Sequence, residues 1–227
     1  MNKEREISEK SKNVITAICV IIIILSIGAF ALITADMIVG DGFVYQDSLE
    51  ETILTVGDEA VSLKEISYYI LVAESNYNEA AQIYNEENLN SFWNINVNFR
   101  FFRKMAKQSV LDACTRDNIY YQQALLEENI LSEEETEEIQ EKAAEEMNKL
   151  TEKQLEITEY QMSDMVHVLT KIAYARKYVS NLMAQGYAEE ELDTEGSRYE
   201  EIKKDYPVQV NDEIWGKITL GKVTINN

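Results

Sequence analysis

Histidine, glycine, proline, cysteine and basic side chains are all scarce in this chain of 227 residues, and each shortage removes a class of function. The single histidine, His167, sits between Val166 and Val168 in a helical stretch, and no second histidine or cysteine pair stands at metal-ligand spacing. His167 therefore reads as a surface or boundary residue, and the chain offers no metal site. Eight glycines are too thinly scattered to spell a phosphate loop, a dinucleotide fingerprint or a nucleophile elbow. No Asp-x-Asx-x-Asx-Gly run supplies a calcium loop. With 41 acidic residues against 21 basic, a net charge of −20 excludes a nucleic-acid binder, which needs Lys and Arg to neutralise phosphates. No catalytic residue and no cofactor motif emerges.

The two cysteines are equally limiting. Cys19 lies inside a long apolar run, without the small residue before it that a lipoprotein signal requires, so Cys114 is the only thiol beyond that run and no disulfide can form there. Cys114 falls in a helical stripe with Val110 and Ala113 and reads as a small buried residue. One proline, Pro207, and an apolar content of 45% describe a chain able to bury one core of moderate size.

What is abundant comes first at the front. Val14 to Ile33, VITAICVIIIILSIGAFALI, is twenty residues without a charge, the length a helix needs to cross about 30 Å of hydrocarbon. Lys3, Arg5, Lys10 and Lys12 precede it, whereas acidic residues alone follow it as far as Lys64. The asymmetry places the leading residues in the cytoplasm and the remainder outside. Ala35 offers a cleavage point, but the apolar core exceeds the roughly 7–15 residues of a signal peptide, which favours a retained anchor. The expected layout is a cytoplasmic tail over 1–13, an anchor over 14–34, a juxtamembrane linker over 35–51, a folded domain over 52–220 and a short tail over 221–227.

The domain reads as mainly α. Leu63, Ile66, Tyr69, Ile70, Ala73, Tyr77, Ala80, Ala81 and Tyr84 recur at spacings of three and four, with Ser62 and Glu65 as a capping box. A second helix is expected from about Asn98 to Asn129. A third opens at the Ser132/Glu135 box and carries a thin apolar face, Ile139, Ala143, Met147 and Leu150; ten acidic residues between Glu127 and Glu146 keep it solvated. A fourth runs from Thr158 to Gln185, with Gly186 as its cap. Ile53 to Val56 reads as a strand without a neighbour, and β-branched alternation marks Val208 to Val210 and Ile214 to Leu220 as strand too. The early strand is expected to pair with the late ones, closing the helical body with one small sheet.

The stretch TVGDEAVSLKEISYYI resembles the opening of the N-terminal chaperone domain of the SurA/PrsA family of extracytoplasmic folding factors, through Thr55, Val56, Gly57, Asp58, Val61, Ser62 and Glu65. Ala124 to Ile139, ALLEENILSEEETEEI, resembles that family's helix junction, with Asn129 in a glycine's place. The C-terminal domain of trigger factor is similar in helical architecture. The resemblance implies a chaperone domain, and a prolyl isomerase domain of the parvulin type beside it; the 41 residues after Gly186 leave no room for one, so isomerase activity is not expected.

Thirteen tyrosines, six phenylalanines, two tryptophans and seven methionines exceed what four thin stripes require. The densest group is SFWNINVNFRFF, Ser91 to Phe102. Phe92, Trp93, Phe99 and Phe102, with Tyr69 and Tyr77, form the candidate surface for unfolded or exported polypeptide, since such side chains adapt to many apolar partners. The alternative is that these rings cap the helical core where the loop crosses it. The functional expectation is a membrane-anchored extracytoplasmic holdase or foldase working without ATP; the competing one is a scaffold for a single folded membrane or secretion partner. The anchor is checked by fractionation: the full chain should sediment with membranes and come free with detergent but not with salt, and removing residues 1–35 should release it.

Overall fold

The computed structural model describes residues 43–85, 87–97 and 100–221. The chain divides into a leading unit, Met1–Phe43, and a second unit, Val44–Asn227; the anchor over 14–34 and the cytoplasmic tail lie outside the described residues. Among the described residues no helix is long and apolar enough to cross a membrane. The second unit is mainly helical, with one three-stranded antiparallel sheet in the order β2-β1-β5.

The sheet begins as a hairpin. β1 (Thr52–Val56) turns at Gly57 and Asp58 into β2 (Glu59–Ser62), so the early strand does have a sequential neighbour. The register shifts between Thr52 and Leu54, and this irregularity lets Ile53 and Leu54 both bury, where strict alternation would expose one of them. The other edge of β1 takes β5 (Val208–Val210), with Leu54 opposite Val210 and Val56 opposite Val208. Gly57 N donates to the Pro207 carbonyl at 2.9 Å and Asn211 N to the Ile53 carbonyl at 2.8 Å, extending the ladder at both ends. The expected union of early and late strands is present.

α1 (Leu63–Asn85) follows β2 directly, with Ser62 Oγ accepting from the Glu65 amide at 3.2 Å. A short helix α2 (Leu89–Trp93) and a two-stranded ribbon of β3 (Asn96–Val97) and β4 (Arg100–Phe101) lead into α3 (Phe102–Leu126). Helix α3 is central; α1 packs on one side of it and α6 (Met162–Ala184) on another. Ala106, Val110, Cys114, Ile119 and Ala124 are its buried apolar face, as the stripe foretold for Cys114. Helix α4 (Glu133–Lys149) carries the full Ser132/Glu135 capping box and lies against α6 through Ile139 and Ala143.

Several boundaries differ from the sequence-based expectation. α3 ends at Leu126, before the expected Asn129; Glu128 turns left-handed at φ 55°, and Asn129 N closes the cap on the Ala124 carbonyl. The helix expected from Thr158 to Gln185 starts later, as α6 at Met162, and a separate helix α5 (Glu152–Thr158) precedes it, because Thr151 and Gln154 form a second capping box and Glu159 turns left-handed at φ 49°. Buried Tyr160 pins that break by donating to the Lys64 carbonyl at 2.7 Å. The charged segment after Gly186 holds two short helices, α7 (Glu189–Leu192) and α8 (Ser197–Lys203). Finally, Ile214–Leu220 is not strand. Asn211 Oδ1 accepts from Ile214 N and starts a single helical turn, α9 (Asp212–Trp215), after which Ile218 and Leu220 bury as a strap. Lys107 of α3 donates to the carbonyls of Trp215 and Ile218, groups that a strand partner would otherwise satisfy.

Gly57 is the tightest point of the hairpin. Its φ is +58°, and a β-carbon there would stand 2.7 Å from Tyr206 Cδ1 and 2.8 Å from Gln122 Oε1. Replacing it by alanine adds left-handed strain to that clash, so Gly57→Ala should cost about 2 kcal/mol. Urea unfolding of the two forms measures the loss; equal midpoints would show that the turn relaxes freely.

Candidate functional site

The segment Ser91 to Phe102 sends its rings inward. Trp93 is fully buried and Phe92 is 8% exposed. Phe92 stacks on Phe102 at 4.7 Å between centroids, and Tyr77 stacks on Trp93 at 5.5 Å. The indole Nε1 donates to Asn78 Oδ1 of α1 at 3.0 Å. The strap closes over the same indole: Gly221 lies so near that a β-carbon on it would come within 2.6 Å of the ring. Such pairs add about 0.5–1.5 kcal/mol each beyond area burial, so Phe92 and Trp93 seal the end of the helical core, the alternative that their sequence left open. Tyr69 is also buried at 8%, while Tyr77 and Phe102 are half-buried; Phe99 lies outside the described residues.

Open apolar surface lies beside this plug. α1, α3 and α6 leave a groove of about 310 Å3 between them, walled by Tyr68, Val72, Ala73, Tyr77, Val110 and Ile172. Tyr69 and Asp117 lie at its base, and Asn76 and Arg176 contribute polar atoms. On α1 these positions run i, i+4 and i+8 from Tyr68 and again from Tyr69, so they are the shoulder of the stripe that the periodicity predicts. Val72 remains 39% exposed because α3 and α6 cover only part of that width. The sequence reading found Tyr69 and Tyr77 but missed Tyr68, Val72 and Arg176. A stripe broader than its partner was the available signal; which side stays uncovered is set by tertiary packing.

Two charged clusters frame the groove. At its base Asp117 accepts from the Tyr69 hydroxyl at 3.2 Å and pairs with Arg116 at 3.3 Å. Burial pushes the Asp117 carboxyl upward, and Arg116 only partly offsets this. Nearer the sheet, buried Lys171 of α6 reaches Glu65 at 2.8 Å and Glu59 at 3.1 Å. Its ammonium also lies 5.4 Å from the centre of the Tyr121 ring. Burial opposes the charge on Lys171, but the two carboxylates more than offset it and raise its pKa. Burial would also raise Glu65, yet hydrogen bonds and charge from His167 and Lys171 hold it below the ordinary carboxylate range. One brace thus ties β2, α1 and α6 together and orients two walls of the groove.

His167 stands at the brace's outer edge, 61% exposed, with Nε2 3.7 Å from Glu65 Oε2. That fits the surface or boundary position expected of it. No family model, no curated protein and no solved structure matches the chain.

The Glu65 contact raises the His167 pKa. Its contribution to stability is therefore complete below the ordinary imidazole value of about 6.5 and is lost as pH rises through the raised folded value. Glu65, held low, acts oppositely and loses its contribution only as pH falls through its own lowered value. His167→Gln should flatten the decline of stability above about pH 6.5 and also shrink the acid limb, since Glu65 loses one of the two groups that hold it low. Denaturant midpoints across that range decide it, and parallel curves for both proteins would remove the imidazole from the linkage.

Proposed function

We propose that this chain is a membrane-anchored extracytoplasmic chaperone module, a holdase or foldase that shelters unfolded or exported polypeptide without ATP and acts by binding, not catalysis. The observation that carries this reading is the uncovered tyrosine-walled groove between α1, α3 and α6. Its walls are apolar and aromatic, its mouth is open, and rigid helices hold it, which is the surface that a transient, sequence-tolerant contact with apolar segments needs. The pairing of β1 with β5 supports the likeness to the SurA/PrsA type of chaperone domain, where early and late strands close a helical body. The uncharged run Val14 to Ile33 would hold the domain at the outer face of the membrane through the lipid bilayer.

The net charge of −20 fits the same role. Copies that carry apolar clients repel one another, and basic or aromatic-rich clients gain in encounter rate. The binding surface proposed is the groove, with Tyr69 and Tyr77 in its lining; Phe92, Trp93 and Phe102 act by shaping its end from within.

The test is light scattering from two unrelated proteins diluted out of denaturant, with and without a stoichiometric amount of the full chain in lipid nanodiscs. Both should stay in solution, and Val72→Asp should weaken the protection about tenfold, the loss of about 1.4 kcal/mol of apolar contact. Protection of neither, by a chain that unfolds cooperatively, would replace this reading with a scaffold for one folded partner.

A further inference from the structure

The groove has a polar inventory that its apolar walls do not explain. Its one carboxylate, Asp117, is already engaged by Tyr69 and Arg116. Ser109 donates to the Ala106 carbonyl at 2.8 Å, and the groove's other polar side chains are rich in donors: the Arg176 guanidinium, the Asn76 amide and the hydroxyls of Tyr68 and Tyr77. Among the described residues, none of these four side chains forms a hydrogen bond or an ion pair. Arg176 is the one that can only donate. Its neighbours are paired, Arg116 with Asp193 at 2.8 Å and Lys177 with Glu135 at 2.6 Å. Among the described residues Arg176 has no ion-pair partner, although its charge is felt by Asp117 and Tyr68.

Position adds to this. Arg176 also lines two neighbouring depressions of about 530 Å3 each, one beside Arg116 and Ser180, the other beside Lys142 and Lys177. It thus stands at the one side chain that all three cavities share.

We infer that Arg176 is the polar anchor of a site for one extended, uncharged, apolar segment of unfolded polypeptide, its guanidinium donating to backbone carbonyls while the segment's side chains lie against Tyr68, Val72 and Tyr77. The inference rests on the binding function proposed above. A segment that enters an apolar groove brings carbonyls that lose their water and must find donors. A guanidinium presents five N–H groups in a fork and can serve two carbonyls without selecting a side chain. A carboxylate would be the stronger single partner. An acidic segment, however, would approach a surface of net charge −20 and pass Glu135 and Glu138 in one adjoining depression and Glu189, Glu190 and Asp193 in the other. The same field works against a second copy of this chain as the occupant.

The experiment titrates a short fluorescent peptide of alternating leucine, threonine and tyrosine, acetylated and amidated at its ends, onto the full chain in nanodiscs and follows anisotropy. Arg176 is exposed, so Arg176→Gln should keep the wild-type unfolding midpoint and weaken the peptide about tenfold, or about 1.4 kcal/mol. Arg176→Lys, which keeps the charge and loses the fork, should bind more weakly than wild type. A peptide with glutamate in place of threonine should bind less well than the neutral one. Unchanged affinity in Arg176→Gln, or tighter binding of the acidic peptide, would overturn the inference. If the wild type still protects aggregating proteins in that case, only this site falls. If it binds no peptide and protects nothing, the underlying function falls with it.

Discussion

The antiparallel pairing of Leu54 with Val210 and Val56 with Val208 brings the two ends of the folded unit onto one sheet, and the positions of the helices follow from it. β1 lies between β2 and β5, and α1 departs from the β1–β2 hairpin without a linker. α3 crosses behind the sheet, where Gln122 Nε2 donates to the Val56 carbonyl at 2.8 Å. The strap after β5 then runs to the middle of α1, where Gly221 N donates to buried Glu74 at 2.7 Å. α1 is thus held at its start by the hairpin and near its middle by the strap and the plug around Trp93.

Charge is distributed with the same economy. α4 turns its glutamates to solvent and contributes little more than Ile139 and Ala143 to the interior. The buried cation Lys171 is matched by two carboxylates, since an unmatched charge at that depth would cost several kcal/mol. The helical body therefore keeps a strongly negative exterior without leaving negative charge unpaired in the brace. For the client-binding role proposed above, an exterior of one sign and a paired interior point the same way.

Local signals were legible and packing was not. Helices α1, α3 and α4, the Ser132/Glu135 box, the cap at Gly186 and the strand Val208 to Val210 all follow from periodicity and capping chemistry. The late partner of β1 was read correctly because a strand with an open edge must find one, but its hairpin partner β2 was missed. The alternation in Ile214 to Leu220 misled because Asn211 caps a helical turn and Lys107, far away in sequence, supplies the donors that make an unpaired strap tolerable. Buried polar residues such as Glu74, Asn78 and Asn118 look like solvent-facing positions in the sequence. The density of rings in Ser91 to Phe102 marked an aromatic cluster, yet density alone cannot distinguish a core plug from an open wall. That distinction lies in which faces α3 and the strap happen to cover.

A sheet whose central strand is made early and whose edge strand is made late also sets an order of events. A chain synthesised from its N-terminal end forms the β1–β2 hairpin and α1 while β5 is still missing, so the outer edge of β1 must wait. Closing a loop of that length costs about 4 kcal/mol in chain entropy by the logarithmic law, and the helices must pack before the sheet can offset it. Sheet closure then waits on the late strand, and until it arrives this protein is itself an unfinished chain with an open strand edge.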